Sequence, residues 1–168
     1  MRNPVTDPVM ALFSILGNTG FIWIAIALVL LIRKSTRRHG IQLALCLIAS
    51  LIINNLILKN LIARPRPFTE IENLTVMLVR FADAGSWSFP SGHAGSSFAA
   101  AFSLSRSFGK KGRSAWAVAA LIAFSRSYIG VHYLSDIICG AAFGTLGAFL
   151  AVKLWLRCTP YCEKKNII

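Results

Sequence analysis

Apolar residues along the chain gather into five long runs separated by short polar or basic stretches. Phe21 to Ile32 (FIWIAIALVLLI) opens the series; a bilayer core of about 30 Å needs about 20 apolar residues, so this run must borrow a turn at either end. Ile41 to Ile62 forms the second, interrupted by Asn54, Asn55 and Lys59 at intervals that share one helical face. A third opens at Pro90 and is rich in Ala, Ser and Gly, a composition that lets helices approach closely. Ser114 to about Ser127 and Leu134 to about Trp155 complete the set, the last with Gly140 and Gly144 at helix-packing spacing. Ahead of them, Asp7-Pro8 predicts a helix start with Asp as cap, and Gly17-Asn18-Thr19-Gly20 breaks that helix, which is expected on the membrane surface. Thr69 to Phe89 is a polar connection with room for an interfacial helix around Leu74 to Phe81; a loop of that length is usually functional.

The pattern predicts an all-α integral membrane bundle: about five transmembrane helices plus a short N-terminal interfacial helix. It forms a single domain, with residues 1–19 as lead-in, 20–155 as core and 156–168 as a cytoplasmic tail. Composition agrees: 55% of the 168 residues are hydrophobic and only 14% charged, and mean hydropathy is +0.62. The N-terminus lacks a small-residue cleavage pattern after a short apolar core, so the first run is expected to be retained. Cys46 and Cys139 sit inside apolar runs and Cys158 and Cys162 lie on the tail without further ligands nearby; all four are expected to be thiols.

A net charge of +12 on a soluble chain points to nucleic acid. Here the basic residues lie between apolar runs, so topology accounts for them and no nucleic-acid partner is expected. Arg33, Lys34, Arg37, Arg38, Arg106, Lys110, Lys111, Arg113, Lys153, Arg157, Lys164 and Lys165 fall on one side, twelve of the eighteen Lys and Arg, and mark it as cytoplasmic. Five spans then put the N-terminus outside and the C-terminus inside.

Ionisable residues at the edges of apolar runs carry the chemistry. Lys59, Arg66 and Arg126 all fall on the outer side; arginine offers a planar fork to phosphate oxygens and lysine a point charge. Ser91 and Gly92 precede a helix whose first N–H groups favour an anion, with His93 placed beside it. His132 and Asp136 are four apart, one turn of a helix if the stretch after Gly130 is helical; the carboxylate then holds one ring nitrogen and leaves the other to attack. Taken singly, each has a plainer reading: Arg64, Arg66 and Arg80 solvated or paired with headgroups, Lys59 snorkelling, Pro90-Ser91-Gly92 a capped turn, His132 a satisfied core histidine. Their convergence on one face favours a phosphoryl-transfer site built without metal or other cofactor, since the carboxylates outside are scattered.

Lys59 with Arg66-Pro67 seven residues on, then Pro90-Ser91-Gly92-His93, then Ser125-Arg126, His132 and Asp136, resembles the three-part signature of the type 2 phosphatidic acid phosphatase superfamily, in order and with its internal spacings, over residues 20–155. The resemblance implies a helical membrane phosphatase working through a phosphohistidine. By position, Lys59, Arg66, Ser91, Gly92 and Arg126 resemble its phosphate-binding residues, His132 its nucleophile, Asp136 the nucleophile's partner and His93 the acid that protonates the leaving oxygen. It also implies a multi-pass protein of the cell membrane with an extracytoplasmic site and a lipid phosphate as substrate: undecaprenyl diphosphate first, phosphatidylglycerophosphate or phosphatidate next. Vanadate haloperoxidases share the constellation but are soluble; a lipid-phosphate binding or transport protein would not need both histidines. Membrane members usually have six spans against five here, so a first span without motif residues is expected to be missing. Neither the lipid nor the oligomeric state can be read from these residues.

Overall fold

A computed structural model describes residues 3–72, 74, 76 and 85–164. Among them the regular structure is entirely helical: α1 Thr6–Leu16, a 3₁₀ turn Asn18–Gly20, α2 Phe21–Ile32, α3 Arg37–Ser50, a π-helical stretch Leu51–Leu58, α4 Lys59–Ile62, α5 Pro67–Glu70, α6 Gly92–Phe108, a 3₁₀ turn Lys111–Arg113, α7 Ser114–Tyr128 and α8 Leu134–Lys164.

α6 is the central element, packed against α8, α7 and α3. Its small-residue face does what the sequence predicts: Ala94, Gly95, Ser97, Ala99, Ala100, Ala101 and Ser103 are all buried. The seam with α8 depends on glycine. A Cβ at Gly144 would lie 2.2 Å from the Gly95 carbonyl oxygen, and one at Gly140 2.5 Å from that of Ser91. Neither neighbour can yield, because both atoms are backbone. Hydrogen bonds tie the bundle where apolar surface alone gives no direction in a membrane. Trp23 Nε1 donates to Ser97 Oγ at 2.9 Å, and Gln42 Nε2 donates to Ser107 Oγ at 3.0 Å.

Two helical stretches are long and apolar enough to cross a membrane, Arg37–Glu70 and Leu134–Thr159. The pair Thr6–Leu16 and Asn18–Ile32, bent by 49°, adds a third if taken as one span. α6 and α7, at 17 and 15 residues, are too short to count by length, and both are rich in small residues.

Several local expectations change. Asn3, not Asp7, starts α1: its Oδ1 accepts from the Val5 and Thr6 N–H groups at 3.0 and 2.8 Å. Asp7 instead accepts a bond from the Tyr128 hydroxyl at 2.7 Å, docking α1 on α7. The second apolar run is one continuous helical stretch, but it passes into π geometry at Leu51–Leu58, where the Asn residues lie. Beyond α4 the chain does turn extended, through Ala63 at φ 46°, yet Pro67 then starts the short helix α5. α8 continues past Trp155, where the last apolar run was expected to end, to Lys164. Cys46, Cys139 and Cys158 are free thiols. The interfacial helix expected around Leu74 to Phe81, Arg80 within it, lies largely outside the described residues, as does the Cys162 side chain.

Candidate active site

Three junctions meet at one end of the bundle: the α4–α5 turn, the N-terminus of α6 and the α7–α8 connection. A cavity of about 640 Å³ opens there, lined by Lys59, Arg66, Gly92, His93, Arg126 and His132 among others. Six of the eight residues singled out from the sequence thus share one wall. The other two sit just behind it: Ser91 caps α6, its Oγ accepting from the Ala94 N–H at 3.4 Å, and Asp136 is fully buried behind His132.

His132 and Asp136 are not helix-mates. Gly130 to His132 is a tight bend and α8 begins only at Leu134, so Asp136 stands in its first turn. From there Oδ2 reaches back to accept the Tyr133 N–H at 2.9 Å, as a capping-box acid does. The same oxygen lies 3.5 Å from His132 Nδ1, inside ion-pair range but long for a hydrogen bond. Catalytic contacts of this kind often tighten only with substrate bound. Ser88 Oγ donates to Oδ2, and Arg64 Nη1 donates to Oδ1 at 2.9 Å. The Ser91 N–H donates to the Asp136 carbonyl at 3.0 Å, stitching α8 to the cap of α6.

Arg66 lines the cavity and braces it as well. Its Nε and Nη2 donate to the backbone carbonyl and hydroxyl of Ser86 at 2.9 and 2.6 Å, and Nη1 donates to the Val131 carbonyl at 3.1 Å. Arg126 Nη1 donates to Ser14 Oγ on α1, while Arg126 Nε, His93 Nε2 and His132 Nδ1 are buried without a hydrogen-bond partner among the described residues. Buried polar atoms left unmatched are uncommon and call for an explanation. Burial pushes the His132 imidazole down to about 4; Arg126, Arg66 and Lys59 press the same way, and Asp136 opposes them. At that value the ring is neutral at physiological pH, the state in which an imidazole nitrogen has a lone pair free. Gly92 has a packing reason to be glycine: a Cβ would meet the Asn55 amide oxygen at 2.6 Å.

Sequence reasoning missed Ser14, Ser86 and Ser88, which are ordinary serines until packing brings them in. It left Arg64 as a solvated or headgroup-paired residue. Among the described residues no group of three or more His, Cys, Asp or Glu gathers as metal ligands.

The model of the PAP2 superfamily matches residues 39–160. The chain belongs to the PAP2 superfamily. This PAP2 chain is 30% identical over 138 residues to an undecaprenyl-diphosphatase of Sulfolobus acidocaldarius, covering 80% of the chain and 64% of that relative. It is also 30% identical over 164 residues to a lipid A 4'-phosphatase of Porphyromonas gingivalis, covering 92% and 70%. The chain thus spans about two thirds of the length of these relatives. Among solved structures it superposes on LpxE of Aquifex aeolicus with a TM-score of 0.77 at 26% identity, covering 90% of this chain and 88% of that one. The transmembrane PAP2-type phosphatidylglycerolphosphate phosphatase of Bacillus subtilis gives 0.71 at 25%, covering 92% and 78%.

Proposed function

We propose that this PAP2 chain is a membrane-embedded lipid phosphatase that works through a phosphohistidine at His132. One observation carries the reading: His93, His132, Lys59, Arg66 and Arg126 line a single cavity that continues along apolar side chains of α2 and α3, among them Ile24, Leu28, Leu31, Leu47 and Ile48. A cationic end with an apolar extension fits a phosphate on a lipid.

His132 Nδ1 faces Asp136, so Nε2 attacks phosphorus as the bond to the leaving oxygen breaks. His93 supplies the proton that the leaving oxygen takes up. Water, deprotonated by His93, then splits the P–N bond and releases phosphate. Arg126, Arg66, Lys59 and the N–H groups at the start of α6 stabilise the charge on the equatorial oxygens. These cations supply the charge stabilisation that a metal would otherwise provide.

Undecaprenyl diphosphate is the first substrate to test, with lipid A 4'-phosphate, phosphatidylglycerophosphate and phosphatidate beside it, as the relatives' names and the resemblance direct. On the reading of five spans, α6 and α7 among them, the side carrying twelve of the eighteen Lys and Arg is the cytoplasm with the C-terminus in it, and the cup belongs to the extracytoplasmic face. The test is phosphate release by detergent-purified protein across those four lipids, with and without EDTA. Release that EDTA leaves unchanged is expected. No release from any lipid, with binding retained, would make the chain a binding or transport protein; loss to EDTA with rescue by magnesium would overturn the metal-free chemistry.

A further inference from the structure

We propose that Arg64 is a positioning residue: it fixes the Asp136 carboxylate, and through it the tautomer and aim of His132. This rests on His132 being the nucleophile.

Asp136 is fully buried, and its carboxylate is held from three directions. Arg64 Nη1 donates to Oδ1 at 2.9 Å; the Tyr133 N–H and the Ser88 hydroxyl donate to Oδ2. What remains of Oδ2 points to His132 Nδ1 at 3.5 Å. A buried carboxylate is costly without such donors, and Arg64 is the only full positive charge among them. The arginine is itself held in place. Its Nη1 also donates to Ser135 Oγ at 2.8 Å, and its guanidinium stacks 3.8 Å above the Tyr133 ring. Its carbonyl accepts the Ser88 N–H at 2.7 Å, so one residue touches both Ser88 and Tyr133, the two residues that donate to Oδ2.

Arg64 is absent from the cavity wall, and its side chain is 36% exposed. It therefore acts behind the imidazole rather than on the phosphate. With Arg64 gone, Asp136 loses its charge partner and no longer holds the proton on Nδ1. Nε2 then carries that proton part of the time and cannot attack.

Two readouts test this. In steady-state phosphate release, R64A is expected to lower kcat about tenfold to a hundredfold, as when a group orienting a catalytic ligand is lost, with KM changed less than about twofold. R64K should recover about tenfold of that loss, and R64A should cost nothing further in a D136N background. A raised KM with unchanged kcat would make Arg64 a headgroup contact and overturn the proposal, as would an equal loss in D136N. The second readout needs no turnover. With only three histidines in the chain, ¹⁵N-histidine spectra in detergent can be assigned, and His132 should hold the Nδ1–H tautomer in the wild type and a mixture in R64A. An unchanged spectrum refutes the proposal even if no lipid is hydrolysed; failure of all lipids with the expected tautomer shift refutes only the enzymatic reading.

Discussion

The two sides of the His132 ring are built on opposite plans. Behind it, the Asp136 carboxylate accepts from Arg64, Ser88 and the Tyr133 amide, and the segments that carry these donors are bonded to one another. In front, Arg126 Nε and His93 Nε2 are buried without partners among the described residues. A buried polar group without a partner costs about 1–3 kcal/mol. A fold can carry that cost where an incoming oxygen provides the missing bonds. The difference teaches where the site keeps its rigidity. The Asp136 carboxylate is fixed from behind, whereas His132 Nδ1, 3.5 Å from it, and the two cavity-side atoms still lack a hydrogen bond among the described residues.

The sharpest way to break this comparison is to remove the ring between the two sides. H132A should lose phosphate release by about four orders of magnitude or more, as when a lone nucleophile is deleted elsewhere; an active H132A enzyme would leave neither side with a role. Next in size is R126Q on the open side. Loss of one donor to transition-state charge costs about 10²–10³ in kcat, and a smaller effect, confined to KM, would show that Arg126 binds the ground state only. The R64A variant probes the closed side and should fall below R126Q.

The smallest effect sharpens rather than breaks. Because burial and neighbouring cations lower the His132 pKa to about 4, the ring stays deprotonated as pH falls through 6.5. Once the second ionisation of the substrate phosphate near 6 is allowed for, the acid limb of kcat/KM assigned to His132 should lie well below 6.5. A limb at or above 6.5 would mean that Asp136 outweighs burial and the cations in front.

Much of this arrangement is legible in the residue order, and the reason is local. Lys59 and Arg66, the Pro90 to His93 turn, and Arg126 with His132 each lie at the end of an apolar run, so the ends of the runs bring them together. The small face of α6 reads from composition because Ala, Ser and Gly permit one thing, close contact. What does not read depends on long-range pairing. Ser14 is a hydroxyl among apolar neighbours in its helix until α1 docks on α7. Arg64 looks like its neighbour Arg66, both next to prolines, and only their long-range partners tell them apart, Asp136 for one and Ser86 and Val131 for the other. The spacing of His132 and Asp136 suggests a helical pair, but the contact is made by a bend and a helix start. The π stretch around Asn54 and Asn55 has no signature in hydropathy.

Asp136 belongs to two constructions at once. Its carbonyl receives the amide of Ser91, joining α8 to the cap of α6, while its side chain closes the first turn of α8 and faces the imidazole. Truncation there confounds architecture with reactivity: D136A keeps the carbonyl that Ser91 uses but frees the first turn of α8 and strips Arg64 and Ser88 of their acceptor, so an inert protein says little about proton traffic. Experiments meant to isolate the chemistry are better aimed at its neighbours.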